Sequence, residues 1–158
     1  MAGTNAVATA ALILHVFSAV AWVGGMFFAL LILRPASGPL DPVTRLALWE
    51  RVFTRFFAWV FAAIVVLLAS GYTMIFWVFG GFGAIRPHIN IMQASGILMM
   101  LAFFHVYFAP WRRFRAALTR EDRAEAARQL NQIRWIVVAN LILGLFTVAV
   151  GSSGRYWG

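Results

Sequence analysis

The chain contains no cysteine and no lysine. The first absence excludes disulfides, thiolate metal sites and covalent haem attachment through a CxxCH motif. The second makes all thirteen basic residues arginine and removes lysine from any chemistry the protein performs. Charge is scarce as well: charged residues make up 11% of the 158, against about a quarter in soluble domains. With 63% hydrophobic residues and a mean hydropathy of +0.84, the composition is that of a membrane protein. Only five residues are acidic, which leaves a formal net charge of +8. In a soluble protein that excess would suggest nucleic acid. Here the arginines flank apolar spans, so they suit an anionic lipid surface or a bound carboxylate, and no nucleic-acid partner is expected.

Four stretches reach the roughly 20 apolar residues that a membrane helix needs: about 6–33, 56–79, 89–109 and 135–151. The expected fold is all-α, a polytopic membrane protein forming one antiparallel four-transmembrane-helix bundle over 1–158. The opening MAGTNAVATAAL lacks a basic n-region and leads into an apolar run too long for a signal peptide, so it reads as retained. In the first connection Asp41 can cap a helix whose first turn accepts Pro42, and Leu46, Trp49, Val52, Phe53 and Phe56 recur at helical spacing. The second helix is therefore expected to begin outside the bilayer. The second connection, FGGFGAIRPH, is short and glycine-rich. In the third, Thr119 with Asp122 fits a capping pair at the head of a surface helix that runs into the fourth span. Connections one and three hold eleven arginines, from Arg34 to Arg134, whereas connection two holds only Arg86 and the tail only Arg155. The positive-inside rule then places both termini on the outer, periplasmic side of a bacterial inner membrane.

Three histidines stand in or beside these spans. His15 shares a helix face with Ala8, Ala11, Ser18, Ala19, Trp22, Met26 and Ala29. An imidazole in hydrocarbon is costly and marks a functional site by default. It reads either as a hydrogen-bonded packing contact among small residues or as the ligand of a flat prosthetic group in a groove. His105, on a face with Ala94, Leu98, Leu101 and Ala109, is the second candidate. Two histidines on different helices suit axial ligation of a haem iron in a bundle core. A shared haem wants them level, whereas counting inward puts His15 roughly 14 Å deep and His105 roughly 24 Å. His88, after Arg86 and Pro87, reads as an interfacial residue or as a metal ligand at the outer surface.

Gln93 and Asn140 read as interhelical hydrogen-bonding groups or as quinone or porphyrin contacts. Arg34, Arg51, Arg55 and Arg134 read as orientation signals and headgroup partners. Fork-shaped donors also suit haem propionates, for which Arg55 and Arg134 are the first choices. Met26, Met74, Met92, Met99 and Met100 are soft Cu(I) ligand candidates, yet only Met99 and Met100 are neighbours and these point different ways on a helix.

The first-helix sequence HVFSAVAWVGGMFF resembles the opening of two related groups of small four-helix membrane proteins, the copper-resistance CopD family and the HemJ type of protoporphyrinogen oxidase. His15, Trp22, Gly24 and Gly25 carry that likeness. The segment LMMLAFFHVYFAPWRRF, with His105 before Arg112 and Arg113, and the approach RQLNQIRWIVVANLIL are similar to HemJ. The resemblance implies a haem b membrane protein with His15 at the family's essential histidine and His105 as second ligand. Where HemJ enzymes carry a third-helix lysine, this chain has Gln93.

The leading expectation is a haem b protein of redox type that passes electrons within the membrane. The alternatives are a HemJ-like oxidoreductase, a CopD-like copper transport or tolerance protein, and an accessory subunit of a larger membrane complex. A homo-oligomer fits any of them.

Overall fold

The protein is described from a computed structural model covering residues 2–84 and 86–157, the side chains of residues 2–5, 84 and 155 excepted. Helix α1 spans Ala2–Phe28 and continues through a π-helical turn, Ala29–Leu33, into Arg34–Ala36. Helix α2 spans Pro42–Trp77. Helix α3 spans Pro87–Val106 and continues through a second π-helical turn, Tyr107–Trp111, into Arg112–Thr119. Helix α4 spans Arg123–Ser153. Each of the four is long and apolar enough to cross a membrane. Large apolar side chains such as Phe17, Trp59 and Ile142 are 69%, 72% and 65% exposed, an outer surface suited to a lipid bilayer. The chain is a multi-pass membrane protein.

Helices α1 and α3 run further than the apolar spans suggested. Proline normally ends a helix because it lacks an N–H and its ring clashes with the carbonyl four residues back. At Pro35 and Pro110 the helix instead widens by one residue. The Arg34 N–H reaches Ala29 O, five residues back, just before Pro35, and Pro110 lies inside the second π turn. A π turn makes room for the ring and lets the helix go on, so neither proline opens a loop.

The connections follow local chemistry. Asp41 caps α2, its Oδ1 accepting from the Val43 and Thr44 N–H groups at 3.0 and 3.1 Å, and Pro42 occupies the first turn as the sequence suggested. At α4 the cap is Asp122 alone, which accepts from Glu125 N–H at 3.0 Å. Thr119 takes no part, because its hydroxyl donates back to Arg115 O and it closes α3 instead. Between α2 and α3 the chain turns through Gly80 and Gly81, with φ of 76° and 105°, a region costly for residues with a Cβ.

Helices α1 with α2, and α3 with α4, form two antiparallel hairpins that pack into one bundle. Its densest part lies at the arginine-rich end. Phe53, Phe57, Phe61, Phe103, Tyr107 and Trp111 meet mostly edge to face, with centroids 4.8–6.1 Å apart, the arrangement that ring quadrupoles favour. Beyond them, Phe114 and Ala117 of α3 and Ala126 and Ile133 of α4 are fully buried. The opposite end carries most of the hydroxyls and histidines.

Candidate functional site

The stripe on α1 predicted to face inward does so. Ala11, Trp22, Met26 and Ala29 are buried, and Ala8, His15, Ser18 and Ala19 are half-buried. His15 points to α2, where its Nδ1 lies 3.0 Å from Ser70 Oγ. The Ser70 hydroxyl has a single proton, and it goes to Val66 O, 2.6 Å away one turn back. Toward His15 the oxygen can therefore only accept. The hydrogen-bond network thus assigns the ring proton to Nδ1 and leaves Nε2 as a bare lone pair. A fixed Nδ1–H with a free Nε2 is the arrangement by which proteins orient an imidazole that ligates a metal. Gly71, next along α2, lets the ring lie close: a Cβ on it would come 3.3 Å from His15 Cε1 and 3.6 Å from Nδ1, a tight contact that only a small side chain could meet. Neither Ser70 nor Gly71 was singled out from the sequence. The signal was available, since Ser-Gly-Tyr-Thr interrupts an otherwise aliphatic run in α2.

His105 lies elsewhere. It is exposed, as are Ala94, Leu98 and Leu101 on its face, so that stripe meets lipid and not the bundle interior. The buried face of α3 is Ser95, Met99, Phe103 and Val106, turned toward α4 by polar contacts. Asn140 Nδ2 donates to Met99 O at 3.3 Å, and the Thr147 and Ser95 hydroxyls are 2.8 Å apart. Phe103 packs edge-on against Trp22 at 6.2 Å, which sets the level of α3 against α1. His105 is then about nine residues, roughly 13 Å, deeper than His15. The structure does not bring the two histidines together. Where the helices cross, Trp22, Met26, Phe57, Phe103 and Asn140 line a cavity of about 20 Å³, room for about one water and not for a macrocycle.

His88 sits at the mouth of α3, half-buried, its ring edge-on to Trp157 at 6.2 Å and occupying the space that a Cβ on Gly154 would take. Its Nδ1 is buried and has no hydrogen-bond partner. One turn inward, Met92 Sδ packs where a Cβ on Gly151 would come, 3.1 Å away. Gln93 donates to Tyr72 Oη at 3.4 Å, and Asn140 Oδ1 is buried without a partner.

The arginines picked as carboxylate clamps lie at the other end of the bundle. Arg55 is fifteen residues along α2 from Ser70, roughly 22 Å, and Arg34 is nineteen along α1 from His15, roughly 28 Å. Arg34, Arg51 and Arg55 are exposed. Arg134 stacks on Trp135, 4.5 Å from the ring centroid, and donates to Asn131. No group of three or more acidic, histidine or cysteine side chains forms a metal site among the described residues.

Residues 50–153, from α2 to the end of α4, match the family model of Copper resistance protein D. The matched stretch contains Ser70, Gly71, His88 and His105, and His15 precedes it. An uncharacterized protein of Aquifex aeolicus (strain VF5) is 29% identical over 141 residues, 89% of this chain and 90% of that protein. No solved structure matches the chain.

Proposed function

The chain belongs to the Copper resistance protein D family, and from that premise we propose that it is a membrane haem protein of redox type in which His15 is the axial ligand of a haem b. The observation that carries this reading is the Ser70 contact, which holds the His15 ring and leaves Nε2 unprotonated within an apolar span. Ser70 orients the ligand and Gly71 leaves room for the ring. When bound, haem b supplies one-electron chemistry whose potential depends on ligation and burial. His105 is not assigned to the same iron, since it lies at another depth on a lipid-facing stripe.

Reduced-minus-oxidised spectra of the purified protein test the proposal. A sharp b-type α band is expected, abolished by His15→Ala and kept by His105→Ala. Ser70→Ala should weaken haem retention about 10- to 100-fold, as loss of an orienting partner does. Absence of the band, or pigment retained in His15→Ala, would overturn it.

A second reading, copper handling, is favoured by one observation. The unpartnered Nδ1 of His88, with Met92 one turn inward, is an imidazole–thioether pair of the kind that suits Cu(I). Stoichiometric Cu(I) binding lost in a His88→Ala, Met92→Leu variant would support it, and unchanged binding would remove it.

A further inference from the structure

At the arginine-rich end, the π turn of α3 opens a surface groove of about 360 Å³ lined by Tyr107, Phe108, Trp111, Arg112 and Arg115. Its walls differ in kind. Tyr107 and Phe108 meet edge to face at 5.2 Å, Phe108 is 59% exposed on the lipid side, and Trp111 is buried beneath. One turn further toward the helix end stand the two guanidinium groups. Arg112 is exposed and in no ion pair among the described residues. Arg115 lies 5.9 Å over the Trp111 ring and 4.0 Å from Glu50, with its side chain 63% exposed. A carboxylate at that distance and exposure does not neutralise it. The groove is therefore apolar toward the membrane and cationic toward the aqueous face, and it sits at the level where an apolar span becomes a polar helix.

We propose that this groove is a binding site for one anionic phospholipid, its phosphate held between Arg112 and Arg115 and its upper acyl chain lying on Tyr107 and Phe108. Charge complementarity selects an anionic headgroup, since two guanidinium forks face one distant carboxylate. The aromatic wall selects a lipid over a free phosphate, which could use only the arginines. Pro110 lies in the π turn that carries Tyr107, Phe108 and Trp111 and leads directly into Arg112.

Native mass spectrometry of the full-length protein, released from nanodiscs of mixed phosphatidylglycerol and phosphatidylethanolamine, tests this. One phosphatidylglycerol per chain is expected to remain bound. A diffuse surface potential treats all exposed arginines alike, at about fivefold per charge. Arg112→Gln with Arg115→Gln is therefore compared with Arg120→Gln and Arg123→Gln, an equal change of charge outside the groove. The groove pair should lose retention at least tenfold more than the control pair, and Phe108→Ala should lower it while leaving the charge unchanged. Equal losses in the two pairs would overturn the proposal in favour of non-specific attraction. Displacement of the lipid by millimolar inorganic phosphate, with Phe108→Ala silent, would overturn it in favour of a free-anion site. Preferential retention of phosphatidylethanolamine would also overturn it.

Discussion

Replacing Ser70 should cost more than replacing the histidine it holds. In Ser70→Ala the His15 Nδ1–H loses the oxygen 3.0 Å away and keeps only the Leu67 carbonyl beside it. A buried donor whose pairing is lost or weakened in this way costs about 1–3 kcal/mol. In His15→Leu nothing is orphaned, because the Ser70 hydroxyl keeps its bond to Val66 O at 2.6 Å. The exchange nearly conserves volume and should stay under about 1.5 kcal/mol. The double variant contains no such donor, so it should resemble His15→Leu and give a coupling energy equal in size to the Ser70→Ala cost, about 1–3 kcal/mol. Unfolding by dodecyl sulfate in mixed micelles, followed by circular dichroism on pigment-free protein so that ligand linkage does not enter, measures all four states of the cycle. Additive single-variant costs, with coupling below about 0.5 kcal/mol, would refute the Ser70–His15 pairing on which the free Nε2 rests.

Gly71→Ala should be nearly neutral, since its Cβ at 3.3 Å from His15 Cε1 needs only a small shift, whereas Gly71→Val should cost about 1–3 kcal/mol through overpacking, read by the same unfolding assay. Thr147→Val removes the hydroxyl 2.8 Å from Ser95 and should cost about 0.6 kcal/mol, the average for such bonds in membranes; a loss above 2 kcal/mol would show a larger polar network. The Asp41 carboxyl is held below its ordinary range by hydrogen bonds from Thr44 first and by the Val43 N–H after it. A depressed acid stabilises the fold above its unfolded value near 4 and loses that contribution as pH falls through the folded value. The stability gap between wild type and Asp41→Ala should therefore be constant at neutral pH and close on acidification.

Much of the architecture was legible because it depends on local patterns. Apolar length marked four spans, and the three-to-four residue spacing around His15 marked the face that turns inward, since a helix dictates which side chains share a side. The Asp41 cap was readable because its partners are two and three residues away. The Thr119 cap was not, because serine and threonine hydroxyls can equally donate to the carbonyl four residues back, and Thr119 does so. The ends of α1 and α3 were not legible from apolar length, because whether a helix stops or widens at a proline depends on what packs around it, and buried Trp111 and Phe114 hold α3 together past Pro110.

The sequence by itself determined that this is a helical membrane protein with four spans, an arginine-rich end and an intramembrane histidine on a small-residue face. Hydropathy and helical periodicity are properties of neighbouring residues, and they need no knowledge of partners. What His15 touches, and that His105 faces lipid, only the tertiary structure decided. Small and aliphatic residues line helix contacts and lipid-facing stripes alike, because lipid tails are as apolar as a leucine core. The Asn140–Met99 and Thr147–Ser95 contacts turn α3, and Ser70, fifty-five residues from His15 in sequence, gives that ring its proton position.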